Sequence, residues 1–484
     1  MGNLERASGV IASVRSLGVQ ELCVCAGSRN AALLAVLGVS DARLYSFVDE
    51  RSAAFFALGR MKLHGAPVAV VTTSGTAVAE LLAATIEAHY AGLPLILITA
   101  DRPASFRGTG APQSIEQIGI FGVYAETDPD SWTGTRPLHI NVEFEDEPLT
   151  ACHPELHERP GSVVARKPQL MMKVSAASPL QGNPLVIVGG LTVERRERVR
   201  AFVKKLNAPT YAEPLSGLRE DADLPLIRSG ERMIARASFD RVIRIGNVPT
   251  LRYWRDLEAG SLSVAHFSDL PFPGLTRGDV YPIEALPELS GSLDESFAAD
   301  DAKQAQAFSE ILNDEPESEL AMIRRLSQTL PAAARVYLGN SLPIREWDLA
   351  ATRDRSFEYQ ANRGANGIDG QLSTFFGWCA PNRENVCVVG DLTAIYDLNA
   401  PWILRQLEDV HARIVIVNNG GGRIFSRVPS LRTLDEKLRE RVIENSHDVH
   451  FEHWAKMWDL DATELRPDAE ASRRAWAKYD ALWS

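Results

Sequence analysis

Cysteine is scarce: the 484 residues hold five, at 23, 25, 152, 379 and 387. The odd count and the lack of any zinc-type spacing argue against a disulfide framework and against a cysteine metal site. They fit a reduced, cytoplasmic setting. Positive charge is also short. Lysine and arginine number 51 against 63 acidic residues, a net charge of −12. Neither nucleic acid nor an anionic membrane surface is therefore an expected partner. No apolar run reaches the length of a membrane span, and residues 1–20 lack the apolar stretch of a secretory signal. No short internal repeat is visible.

What is present is an alternation of strands and helices. The runs ELCVCAGS, LYSFVDE, PVAVVTTSG, PLILITADR and PLHINV are apolar and end in Gly, Ser, Asp or Asn, with helical stretches at Ser52–Lys62 and Thr76–Ala91 between them. That pattern predicts a doubly wound parallel sheet over residues 1–150. Cys23 and Cys25 alternate within the first run and share one face, as small core residues. A linker rich in Pro, His and Glu is expected at 148–182. A second α/β unit over 183–290 begins with PLVIVGG and continues through PTYAEPLSG, RVIRIGN and LSVAHFSD. An acidic, turn-rich segment at 291–318 precedes a third unit over 319–484. The fold class expected is α/β, with three Rossmann-like parallel-sheet domains in series. At ~150 residues per domain the length suits three.

The most informative stretch is VVGDLTAIYDLNAPWILRQLEDVHARIVIVNNGGGRIF. Asp391 and Asn419 lie 28 residues apart in it. It reads as strand, turn, helix over Ile395–Leu407, strand and glycine-rich loop, so each polar residue stands at the carboxyl end of a strand. Ligand sites of parallel sheets form there. A carboxylate, an amide oxygen and the carbonyl of Gly421 make a hard-oxygen set suited to Mg²⁺, with Mn²⁺ as its alternative, gripping a diphosphate. The glycines let the backbone approach phosphate oxygens. The same segment also reads as an ordinary βαβ unit with a polar strand end. Glu50, between LYSFVD and RSAAFFALG, invites two readings as well. It is either a helix-start acid favoured by the dipole or a catalytic carboxyl group.

The GD…NN arrangement resembles the cofactor motif of thiamin diphosphate enzymes. With GSRN (27–30), VDERSAAFFALG (48–59), TTSGTAVAELLAATIEAHYAGLPLILITADRP (72–103), RGTGAPQSI, GNSLPIR, ANRGANGIDGQLST, GDLTAIYDLNA and NNGGGRIFS, the chain is similar to one family among them. These are the 2-succinyl-5-enolpyruvyl-6-hydroxy-3-cyclohexene-1-carboxylate synthases of menaquinone biosynthesis. The resemblance implies a thiamin diphosphate-binding fold with pyrimidine-binding, central and diphosphate-binding domains. It implies a homodimer or homotetramer with the active site at the subunit interface. The implied reaction is decarboxylation of 2-oxoglutarate and conjugate addition of the resulting succinic-semialdehyde carbanion to isochorismate. By the same resemblance Glu50 serves the aminopyrimidine, and Asp391, Asn419 and Gly421 hold the metal. Gly390, Leu392, Ile368, Ile424 and Phe425 contact the cofactor, Ile368 as the prop for its bent shape. Ser28, Arg29, Arg102, Gln113, Arg252, Ser341, Arg345 and Arg363 bind the two dicarboxylic substrates, for which arginine's planar fork is suited.

The chain departs from the family pattern in places. Leu392 stands where the general motif has glycine, and Pro112 replaces an amide residue before Gln113. Arg252 stands in place of a lysine, and Asn30 replaces a common serine. The sequence stops after ASRRAWAKYDALWS, where the family continues. Two alternatives follow. One is another thiamin diphosphate-dependent 2-oxo acid decarboxylase or carboligase, which needs Glu50, Asp391 and Asn419 but not ANRGANGIDG. The other is an inactive protein of the same fold, which has no need of Glu50 or the metal ligands.

Overall fold

The computed structural model describes residues 2–146, 183–289, 291, 293–431 and 433–483. The expected linker at 148–182, with Cys152 in it, lies outside the described residues. Three parallel sheets carry the fold. The first holds β1 (Glu21–Cys25), β2 (Arg43–Phe47), β3 (Val68–Thr72), β4 (Leu95–Asp101) and β5 (Leu138–Glu143), in the order β2-β1-β3-β4-β5. The second holds β6 (Pro184–Val188), β7 (Thr210–Ala212), β8 (Arg241–Ile245), β9 (Ser263–Phe267) and β10 (Val280–Tyr281), in the order β10-β9-β8-β6-β7. The third holds β11 (Arg335–Leu338), β12 (Glu358–Gln360), β13 (Glu384–Gly390) and β14 (His411–Val417), in the order β12-β11-β13-β14. β3 and β4 are buried along their whole length, as strands covered by helices on both faces must be.

Each sheet reverses its strand order once. In the first the reversal lies between β1 and β3, in the third between β11 and β13. Crevices open at such points beyond the carboxyl ends of the strands. Ala26–Ser28 and Thr73 therefore border one crevice, and Asn340 and Asp391 the other.

The first and third sheets are locked together by two helices, Glu50–His64 and Gln371–Trp378. They meet through glycines. A Cβ built on Gly59 would lie 2.1 Å from the Thr374 carbonyl oxygen and 2.7 Å from the Gly377 Cα. One built on Gly377 would lie 2.1 Å from the Phe56 carbonyl oxygen. Phe55, Phe56, Leu372, Phe375 and Phe376 close around this contact in a single core that runs on into the strands of both sheets. Cys23 and Cys25 belong to that core too, on one strand face, as their alternation implies.

Three local expectations change. The segment 291–318 is not mainly turns: Glu295–Asp314 is one helix, capped by Asp294, whose side chain accepts from the Ser296 N–H. Its acidic residues hide a helical stripe, Phe297, Phe308, Ile311 and Leu312, which is buried. The helix expected over Thr76–Ala91 breaks into Thr76–Ala79 and Leu82–Ala91. The helix expected over Ile395–Leu407 starts earlier, as Asp391–Tyr396, and resumes as a 3₁₀ turn at Ala400–Gln406. β14 is also less buried than IVIV suggests. It is the outer strand of its sheet, and its residues are half-buried or exposed.

Ordinarily Gly→Ala inside a helix gains up to ~1 kcal/mol. At Gly59 the methyl group meets backbone, which cannot rotate away, so overpacking of roughly 1–3 kcal/mol decides the sign. Gly59→Ala is expected to lower the urea midpoint; a raised midpoint removes the glycine contact from the account of stability.

Candidate active site

Beyond β1, β2 and β3 lies a cavity of about 740 Å³, lined by residues of the first sheet's own segment, among them Gly27, Ser28, Asp49, Glu50, Thr73, Glu80 and Gln113. Glu50 opens the Glu50–His64 helix, whose cap is Asp49 accepting from the Ser52 N–H at 3.0 Å. Burial raises the Glu50 carboxyl above its ordinary range, and the like charges of Asp49 and Glu80 add to the rise. A bond to its own backbone N–H opposes it. The group is thus biased toward holding a proton.

The loop that brings Gln113 to this cavity is built on a strained backbone. Gln113 has φ +55°, and Gly75 beneath it has φ +87°. A Cβ on Gly75 would sit 3.1 Å from the Gln113 Cα. Gln117, fully buried, fixes the loop. Its Oε1 accepts from the Gly75 N–H at 2.9 Å, and its Nε2 donates to the Ala100 carbonyl at 3.1 Å and to Asn141 Oδ1 at 2.9 Å. Arg29 and Arg102 do not line the cavity. Arg29 donates to the Phe144 carbonyl at 3.0 Å and pairs with Asp146 at 2.7 Å. Arg102 donates to the Pro112 carbonyl at 3.0 Å and lies 3.5 Å from the same Asp146. The two arginines converge on one exposed carboxylate beside the loop.

At the third sheet, β13 and β14 run in register to Gly390↔Val417. Asp391 and Asn418–Asn419 therefore leave adjacent strand ends side by side. Asp391 is 2% exposed. Its Oδ2 accepts from the Gly420 and Gly421 N–H groups at 2.8 and 2.9 Å, and its Oδ1 from the Leu392 N–H at 2.6 Å. The expected carbonyl of Gly421 thus belongs to a residue whose N–H already meets Asp391. His447 Nε2 lies 3.4 Å from Asp391 Oδ2 and is not hydrogen-bonded, while its Nδ1 accepts from the Val449 N–H at 3.1 Å. Asn419 Nδ2 donates to Glu319, at 3.1 and 3.2 Å from its two oxygens. A carboxylate held by N–H groups without a bonded lysine or arginine, next to an amide oxygen, is a donor set that fits Mg²⁺ or Mn²⁺. Gly422 is packed by the Phe425 ring, and Ile424, Phe425 and Ile368 are half-buried around the strand ends.

A second cluster joins the ends of β7 and β8 to the third sheet. Arg363 donates to Asn340 Oδ1 at 2.8 Å, and its Nε is buried without a partner. Burial lowers the Arg363 pKa, and Arg345 lowers it further. Desolvation, Arg252 and Arg255 do the same to Arg345, though its side chain still reaches solvent, against Glu231 and Glu213. Arg345 donates to the carbonyl of Ser341 at 2.5 Å, and Ser341 itself is held at φ +75°. Arg252 donates to the Arg427 carbonyl at 3.2 Å. Four cations that crowd one another form a site ready for carboxylates.

Several residues that hold these groups escaped the motif reading. Asn340, 1% exposed, donates to the carbonyls of Asn362 and Gly367 at 2.8 and 2.7 Å, tying GNS to ANRGANG. Glu87 accepts from the Gly364 and Ala365 N–H groups at 2.8 and 2.6 Å, clamping the same loop from the first sheet. In YDLN, Asp397 accepts from the Ser373 N–H and hydroxyl at 2.8 and 3.0 Å, and Asn399 donates to Asp49. The available signal was membership in the matched motifs, since each of these residues stands inside one.

Known proteins are similar to this chain in sequence. Residues 5–120 match the family described as "Thiamine pyrophosphate enzyme, N-terminal TPP binding domain". The chain is 40% identical to the 2-succinyl-5-enolpyruvyl-6-hydroxy-3-cyclohexene-1-carboxylate synthase of Bdellovibrio bacteriovorus, covering 100% of both chains. It is 38% identical to the protein of that name from Akkermansia muciniphila, covering 93% of this chain and 89% of the relative. For the one from Bacillus pumilus the identity is 31%, over 91% and 86%.

Glu213 gives the cluster a pH signature. Burial and Asp348 raise its carboxyl to about 7 from an ordinary 4.5, against the pull of Arg363 and of the Thr250 and Leu251 N–H groups that it accepts. Between those values the folded chain keeps a proton that the unfolded chain has released, so this group's contribution to stability falls as pH rises and stays low above about 7. Glu213→Gln keeps an acceptor without the charge. Its urea midpoint should match wild type in mild acid and exceed it above pH about 7. A difference that is the same at both pH values removes the buried charge as the cause.

Proposed function

The chain belongs to the family of 2-succinyl-5-enolpyruvyl-6-hydroxy-3-cyclohexene-1-carboxylate synthases, and from that membership we propose how its residues divide the reaction. The protein is a thiamin diphosphate-dependent transferase of the carboligase type, acting in menaquinone biosynthesis. Its substrates on this reading are 2-oxoglutarate, which loses CO₂, and isochorismate, which receives the succinyl unit by conjugate addition. Thiamin diphosphate supplies the nucleophilic carbon and the electron sink that loss of CO₂ from a 2-oxo acid requires. Asp391, Asn419 and the Gly421 carbonyl are the oxygens for Mg²⁺ or Mn²⁺, with Gly390, Leu392, Ile368, Ile424 and Phe425 around the cofactor.

The observation that carries this assignment is Glu50. It is a half-buried carboxyl group in a cavity, shifted toward its protonated form. A carboxyl shifted in this direction is better suited to exchange a proton with a ring nitrogen than an ordinary surface glutamate is. Arg252, Arg345, Arg363 and Ser341 bind substrate carboxylates from the third-sheet side. Ser28, Gln113, Arg29 and Arg102 do so from the first-sheet side, the last two exchanging Asp146 for substrate.

The residues lining the Glu50 cavity all come from positions 26–113, whereas the metal set belongs to the third sheet. We assign the complete site to a homodimer or larger assembly in which the two edges come from different subunits. Val48, Ile118 and Val123, 66%, 63% and 79% exposed along the first edge, fit burial by a partner. A cytoplasmic setting suits the four buried free cysteines at 23, 25, 379 and 387. Among the described residues no helix is long and apolar enough to cross a membrane.

Three outcomes test the proposal. Glu50→Gln should still bind thiamin diphosphate but lose hydrogen–deuterium exchange at the bound cofactor's C2, since general acid–base help is worth ~10²–10⁴-fold; wild-type exchange removes Glu50 from the chemistry. Glu50→Gln and Asp391→Ala are each expected to be inactive alone. Mixed and co-refolded, they should regain activity at about a quarter of sites, because a twofold heterodimer rebuilds one intact site. No recovery places the site within one chain. Pyruvate should be used about 10–100-fold less efficiently than 2-oxoglutarate, which has the distal carboxylate that an arginine holds by a charge-assisted bond of roughly 1.5–3 kcal/mol. Equal efficiency favours a different 2-oxo acid enzyme.

A further inference from the structure

A carboxylate pair stands behind Asn419 that none of the roles above uses. Glu319 opens the Glu319–Thr329 helix, is 7% exposed, and takes the Asn419 Nδ2 at 3.1 and 3.2 Å on its two oxygens. Its own N–H donates to the Ser472 hydroxyl at 3.0 Å, which pins the helix start to the Ala469–Ala481 helix. Behind it lies Glu346, fully buried, with neither oxygen hydrogen-bonded. Burial, and then the neighbouring Glu319, push the Glu346 carboxyl up.

Both Glu319 oxygens act as acceptors toward this amide. An amide has two unlike ends, and only its oxygen can serve a metal. Facing Glu319, the Asn419 amide must present NH₂ to the carboxylate and turn Oδ1 away from it. Without that partner the amide is free to present NH₂ where an oxygen is needed, and Oδ1 loses the basicity that a carboxylate on the NH₂ lends it. We propose that Glu319 is a positioning residue which selects the metal-binding orientation of the Asn419 amide. Partners of this kind around metal ligands typically matter 10–100-fold in affinity.

The inference rests on the metal role of Asn419, and the test separates the two. Thiamin diphosphate affinity is measured by calorimetry with and without Mg²⁺, and the cofactor-free melting temperature is recorded alongside, for wild type, Glu319→Gln, Asn419→Asp and the double variant. Glu319→Gln offers the amide both a donor and an acceptor, so either orientation is satisfied. It should weaken Mg²⁺-dependent binding about 10-fold or more and leave the melting temperature near wild type. In the Asn419→Asp background both ends of the side chain are oxygen, nothing remains to be oriented, and the same change should carry no penalty. A penalty of equal size in both backgrounds, or none in either, overturns the positioning role. Wild-type binding indifferent to Mg²⁺ overturns the metal assignment and this inference with it. Should Glu319→Gln not fold, Glu319→Asp, one methylene shorter, withdraws the carboxylate from the amide and carries the same expectation.

Discussion

The crossing of Glu50–His64 over Gln371–Trp378 is the constraint on which the site depends. Backbone touches backbone at Gly59 and Gly377, so the distance between the helices is set by atoms that have no rotamers. Everything near it follows. Phe55 fills the space under Gly370, whose φ of +61° and missing side chain let the ring in. Thr374 Oγ1 donates to the Phe55 carbonyl at 3.1 Å, and Lys62 Nζ to the Ala361 carbonyl at 2.7 Å. Glu87 closes the loop from the other side. The helix that begins with Glu50 thus also fixes the loop that carries Arg363.

Charge is arranged against the overall balance. On the proposed function, a chain of net charge −12 binds two dicarboxylic acids. Arg252, Arg345 and Arg363, the arginines proposed for that task, gather in one crevice, while Glu213 and Glu231 spend their oxygens on backbone N–H groups of residues 250–253. The field in such a crevice is local and differs in sign from the field of the whole molecule.

Much of this was legible in the residues. Strand ends rich in Gly, Asp and Asn gave the three sheets and the two crevices, because a parallel sheet leaves its polar residues nowhere else to go. The Asp391–Asn419 spacing gave neighbouring strand ends, since a βαβ unit returns to the same edge. What was not legible depends on contacts distant in sequence. Gln117 looks like any loop glutamine until Gly75 and Asn141 are beside it. Glu87 sits in an apolar helix, and only the fold shows that it faces ANRGANG. The acidic stretch 291–318 suggested turns because its buried stripe is thin, and Asp301, 5% exposed, is part of the inward face: it accepts from Arg228 and Ser229 N–H groups. Arg29 and Arg102 were placed near the substrate by motif, but their immediate partner, Asp146, lies over forty positions away in the sequence.

β14 carries a consequence of a different kind. HARIVIV is an outer strand, only half-covered, with an apolar run along an edge that no other described strand pairs. Open edges of this composition recruit other strands without regard to identity. Arg413 and His411, both exposed at its start, break the run at one end only. Two copies of the chain that meet along this edge can therefore clump with their own kind. For this enzyme the yield of soluble protein during synthesis, rather than turnover, is where crowding of such copies would first be felt.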